Sequence, residues 1–183
     1  MLHSRLFFMF ILLVALFECS RCRKIDCRDR CCSFVENFPV KLKALRVSYA
    51  KIRDYYEAND ELETALLDED ILHNIKSPFG CHAMKGILEF YLDNVLPKAI
   101  EDVKDANRFF KSPIDSIGNT LTELKRDIIH CRNYLSCRQP FKLDTVIHSY
   151  NKMKTNGLYK AMGELDLLFN YIEDYMVSKK RNH

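Results

Sequence analysis

Glycine and proline are scarce, with five of each among 183 residues. An all-β sandwich needs many tight turns, which these two residues commonly supply, so that class is disfavoured. No Gly-x-Ser-x-Gly elbow and no glycine-rich phosphate loop occurs, and no Asn-x-Ser/Thr sequon offers an N-glycosylation site. After the first 22 residues no segment is continuously apolar for anything near twenty residues, so no membrane-spanning helix is expected. Charge of one sign is also missing. The net charge is +3, too balanced for a nucleic-acid binder that relies on phosphate contacts. His73, His82, His130 and His148 are dispersed and suggest no catalytic pairing, and the acidic clusters at 68–73 and 163–166 fit exposed helix faces. No cofactor is expected.

What is present begins with MLHSRLFFMFILLVALFECSRC. Arg5 precedes an apolar run from Leu6 to Phe17, and Ser20 and Cys22 stand at the spacing of a signal-peptidase site. That run is too short to span a bilayer and fits a secretory signal peptide over residues 1–22. Its removal leaves a single domain, residues 23–183, with a net charge of +2 after Arg5, Arg21 and Glu18 are lost. Six cysteines remain: Cys27, Cys31, Cys32, Cys81, Cys131 and Cys137. An even count in an oxidising compartment reads as three disulfides. Zinc is the rival, since His130 and Cys131 adjoin Cys137, but no C-x-x-C pair or His array accompanies them. DRCCSF is similar to the Cys-Cys run of secreted phospholipases A2, yet Ser33-Phe34-Val35 stand where the His-Asp pair would be needed.

The apolar periodicity is helical throughout. Pro39 suits the first turn of a helix carrying Leu42, Leu45, Tyr49, Ile52 and Tyr56 at steps of three and four. A second helix holds Leu62, Leu66, Leu72 and Ile75. A third opens at Ser77-Pro78, carries Cys81, Met84, Leu88, Leu92 and Val95, and should end or kink at Pro97. The fourth opens at Ser112-Pro113 and runs its stripe from Ile114 through Leu135. A fifth carries Leu143, Val146, Ile147, Tyr150 and Met153, and Asn156-Gly157 breaks it. The sixth, from Leu158 to Met176, has a stripe broad enough for burial on much of its circumference. Linkers are expected at 57–61, 101–112 and 138–141. Residues alone therefore predict an exported, disulfide-stapled, all-α bundle of about six helices that acts by presenting a surface to another protein.

KSPFGCHAMKGILEFYLDNVLP (76–97) resembles the third-helix signature of the interleukin-10 cytokine family, departing at His82, where glutamine is usual. GLYKAMGELDLLFNYIEDYM (157–176) resembles the last helix of that family and FPVKLKALRVSYAKI (38–52) the first. CRNYLSC (131–137) keeps the six-residue cysteine spacing, and the likeness runs in order from residue 31 to 181. The extra N-terminal cysteines look like those of bony-fish members or viral copies.

The resemblance implies an all-α, six-helix class II cytokine bundle, made as a domain-swapped, intertwined homodimer. The short, Pro140-stiffened connection from Cys137 to Phe141 argues the same way, because a hairpin back onto the same bundle would need a longer loop. The resemblance implies the disulfides Cys31–Cys131 and Cys81–Cys137, with Cys27–Cys32 as the remaining pair; an exchange of Cys31 with Cys32 stays open. It also implies receptor contacts at Lys43, Arg46, Arg53, Glu57, Lys160, Glu164, Asp166 and Glu173, with Gly163 replacing a small polar residue. The implied partners are a high-affinity class II cytokine receptor chain and a shared second chain, and the implied outcome is Janus kinase–STAT signalling that suppresses inflammatory cytokine production. Two alternatives remain: a monomeric member of the same broad family acting on epithelial cells, and a secreted helical lipid carrier.

Overall fold

Asp29 starts the first helix among the described residues. Its extended backbone and side chain cap the orphan N–H groups of Cys31 at 2.9 Å and Cys32 at 3.1 Å. The computed structural model describes residues 27, 29–106, 108–137 and 141–181, and the side chains among these except at 104–106, 108 and 181. The signal-peptide reading of 1–22 and most of the 138–141 linker lie outside the described residues. Helix α1 spans Arg30–Tyr49, so Pro39 sits inside it and not in its first turn as expected. The Asp29 cap, not the proline, sets the start. Phe34, Phe38, Leu42, Leu45 and Tyr49 form its buried stripe.

The expected first helix is interrupted. After Ala50, a turn through Ile52 leads into the short α2, Arg53–Ala58. The second is shorter than expected. Residues 60–68 are not helical, and α3 occupies Glu69–Lys76, capped by the Asp68 carboxylate on the Ile71 N–H at 3.1 Å. Helix α4 covers Gly80–Phe90 and passes through a π-helical turn, Tyr91–Val95, into α5, Leu96–Ala106. Pro97 thus does not end the helix. The wider turn, with the Leu96 N–H reaching back to the Tyr91 carbonyl, absorbs the register where proline lacks a donor. Residues 101–106, expected as linker, are helical, and a 3₁₀ turn at Arg108–Phe110 leads into α6, Lys111–His130.

Ile114, Ile117, Leu121, Leu124 and Ile128 of α6 are fully buried. The helix stops before Leu135: Cys131 to Ser136 form turns, Ser136 adopts a left-handed φ of 57°, and the Cys137 N–H closes on the Arg132 carbonyl at 2.8 Å. Helix α7 is Asp144–Lys152, α8 Asn156–Gly163 and α9 Leu165–Arg181. Asn156-Gly157 opens α8; the break falls earlier, at Lys154 with φ 53°. Gly157 is required by close approach, since a Cβ there would stand 2.8 Å from the Tyr150 carbonyl oxygen.

The architecture is all-α, and the six expected units are present with the first, third and last subdivided. Helix α9 packs on α1 and α3, α1 on α6, α2 on α8 and α4 on α6. The last helices therefore close the bundle of their own chain. Within the single chain α9 reaches α1, while residues 138–140 of the connection after Cys137 lie outside the described residues. Cys31 is bonded to Cys131, joining the start of α1 to the end of α6; Cys81 is bonded to Cys137 and Cys27 to Cys32.

Tyrosines link these layers. Tyr49 donates to the Gly163 carbonyl and Tyr91 to the Ala161 carbonyl, each at 2.8 Å. Burial, the largest cause in each case, pushes the hydroxyls of Tyr49, Tyr56, Tyr91 and Tyr175 well above the ordinary phenol range of about 10. The unfolded chain releases these protons near pH 10 while the folded chain keeps them. Their contribution to stability is therefore complete below that pH and is lost as pH rises above it. Urea unfolding at about pH 9 and pH 11 should show this loss, with phenolate absorbance appearing together with unfolding. Equal stability at the two pH values would contradict it.

Candidate functional site

Helix α1 turns Arg46 toward α9, where three acceptors meet it. The guanidinium lies 3.6 Å from Asp166 and 3.1 Å from Glu173, and donates to Asn170 Oδ1 at 2.8 Å. All three charged side chains keep between a third and a half of their surface open to solvent. Asp166, Asn170 and Glu173 recur at steps of four and three on α9, so one helical face supplies every acceptor. Lys43, one turn before Arg46, is exposed.

Arg53 and Glu57 sit on α2, not on α1 as one continuous helix would have placed them. They pair at 3.8 Å, with Asp54 at 3.4 Å from Arg53. Burial and then the charges of Glu57, Asp166 and Asp54 raise the Tyr49 hydroxyl, against Arg53. The α2 and α9 groups therefore border one neighbourhood, with Tyr49 beneath it.

Lys160 and Glu164 differ from the expectation. Lys160 is only 6% exposed. Its ammonium donates to the Leu62 carbonyl and pairs with Asp60 at 2.7 Å and Glu164 at 3.9 Å. The Glu164 carboxylate accepts the Leu66 N–H at 3.0 Å and the Leu67 N–H at 2.8 Å. Burial raises its pKa, against the opposing pull of the Leu67 and Leu66 N–H groups and Lys160, with Asp60 adding to the rise. Both side chains are thus turned inward onto the 60–67 segment, which corrects their placement on the open contact face. Sequence reasoning missed Asp60 and the backbone of that segment, which read as linker and helix and carried no signal of a charged partner 100 residues away. Gly163 leaves ordinary room for a Cβ, 3.6 Å from Asp60 Oδ2.

Cys131 and Cys137 belong to two different disulfides, so the cysteines beside His130 are already bonded. A separate cleft of about 540 Å³ has Lys98, Asp102, Tyr150, Lys154 and Tyr159 on its walls. Asp102 there accepts the hydroxyls of Tyr55 and Tyr159 at 3.0 Å each. Among the described residues no helix is long and apolar enough to cross a membrane.

The arrangement is a surface of paired charges over a tyrosine-linked core. The family model described as Interleukin 10 matches residues 6–178. The chain belongs to the interleukin-10 family. It is 35% identical to the Interleukin-10 of Gallus gallus over 82% of this chain and 85% of that protein. It is 32% identical to that of Felis catus over 98% and 99% of the two chains, and 30% identical to that of Equus caballus over 99% and 100%. As a member of the interleukin-10 family the chain is a non-enzymatic signalling protein, a cytokine with an anti-inflammatory role, and its action is to be sought on its surface.

Proposed function

We propose that this cytokine is exported after removal of residues 1–22 and acts as an intertwined homodimer that gathers class II cytokine receptor chains on one membrane. Lys43, Arg46, Arg53, Glu57, Asp166 and Glu173 form the face that docks the high-affinity chain, and a shared second chain joins the complex. Two copies of the face raise the mutual effective concentration of the receptors. Their Janus kinases then activate STAT proteins, and inflammatory cytokine production falls. The observation that supports this reading is the half-exposed cluster in which α1 and α9 present Arg46, Asp166 and Glu173 together.

In a swapped dimer the packing of α9 on α1 would form between chains with the same residues, so exchange costs little beyond the hinge. The second reading is a monomeric member acting on epithelial cells, and it is favoured by the packing of α9 on α1 of its own chain. A lipid carrier fares worse, since Lys98, Asp102 and Lys154 line the cleft described above. Light scattering on the purified, oxidised protein should give twice the mass of one chain. STAT phosphorylation should appear in leukocytes and vanish when the high-affinity receptor chain is blocked. A single-chain mass would favour the monomer, and silent leukocytes would remove the signalling role.

A further inference from the structure

The 60–68 segment joins α2 to α3 without helical hydrogen bonds of its own, so its exposed polar backbone needs partners from elsewhere. Three side chains supply them: Lys160 of α8, Tyr171 of α9, and Glu164 at the junction between the two helices. Glu164 accepts the Leu66 and Leu67 N–H groups, Lys160 donates to the Leu62 carbonyl and pairs with Asp60, and Tyr171 donates to the carbonyls of Leu67 at 3.1 Å and Asp68 at 3.2 Å. Leu66 and Leu67, held this way, are buried, while Glu61, Glu63, Thr64 and Ala65 between them and α2 stay exposed. The same stretch of chain runs on from Glu57, a member of the proposed docking face.

We infer that Glu164, with Lys160 and Tyr171, is a positioning residue: it holds the 60–68 segment in one conformation before a receptor arrives, and makes no receptor contact itself. This rests on the receptor-docking reading above. A carboxylate facing two successive N–H groups fixes two peptide planes at once, and its burial makes those bonds costly to break. An ordered segment spares the complex the entropy of ordering it on binding.

Two variants test it, Glu164→Ala and the nearly isosteric Tyr171→Phe, which keeps the fold if the first does not. In the free protein, amide exchange at Leu66 and Leu67 should quicken by about tenfold or more in Glu164→Ala, while the α6 amides stay protected. Binding to the soluble high-affinity receptor chain should weaken by about tenfold, through slower association. Tyr171→Phe should shift both readings the same way by less, and Glu164→Gln, which keeps one acceptor oxygen, should restore part of each. Unchanged Leu66 and Leu67 exchange in either folded variant overturns the inference. So does faster exchange with unaltered receptor binding, or weaker binding that arises only from faster dissociation with exchange unchanged. If the unaltered protein fails to bind the receptor chain, the docking reading falls, and the exchange measurement still decides whether Glu164 holds the segment.

Discussion

Replacing Cys31 and Cys131 together by serine is expected to remove about 4 to 5 kcal/mol of stability. The bond closes a separation of 100 residues, from the first turn of α1 to the end of α6, and holds an unfolded chain to a small part of its conformational space. Ordinary domains have about 5 to 15 kcal/mol in total, so the loss is a large fraction of the whole. Burial adds to it. Cys131 is 2% exposed, so a serine hydroxyl there is taken out of water. Replacing Cys27 and Cys32 should cost much less, since that bond spans five residues and removes little chain entropy. Urea unfolding at one fixed protein concentration compares the two variants. A loss below about 1 kcal/mol for the Cys31/Cys131 pair would mean that the unfolded chain is already compact.

Arg46→Glu is expected to weaken binding to the high-affinity receptor chain by at least 2 kcal/mol, about thirtyfold, the level of an interface hot spot. The substitution does more than delete a cation. It sets a third carboxylate against Asp166 and Glu173, with which Arg46 now pairs at 3.6 and 3.1 Å, and turns a balanced patch acidic. Stability should change little by comparison, because pairs open to solvent contribute at most about 1 kcal/mol. That contrast separates a lost contact from a damaged fold. Arg46→Ala should fall between the two proteins in binding while unfolding like the original. Equal affinity for all three in a surface-binding assay would take Arg46 out of the docking face.

The period of the apolar residues was enough to read the all-α class, because a helix must bury one stripe and these stripes repeat every three to four residues with few gaps. Boundaries were less legible. Asp29 as a cap and the π turn ahead of Pro97 depend on where individual donors find acceptors, which periodicity does not report. The 60–68 segment misled for the same reason. Leu62 and Leu66 stand at a helical spacing, but the backbone there is bonded to Lys160 and Glu164, far along the chain.

The charged face divides along that line. Arg46, Asp166 and Glu173 were readable as surface residues because each lies off the apolar stripe of its helix, and the structure brings them together. Lys160 and Glu164 lie off a stripe too, yet the fold lays a loop over them and buries their charges. Local pattern settles helix content, since it depends on neighbours along the chain. Which side chains of α8 and α9 face solvent, and which carbonyl or amide a buried charge satisfies, depends on chain segments about 100 residues away, and only the packed tertiary structure could decide it.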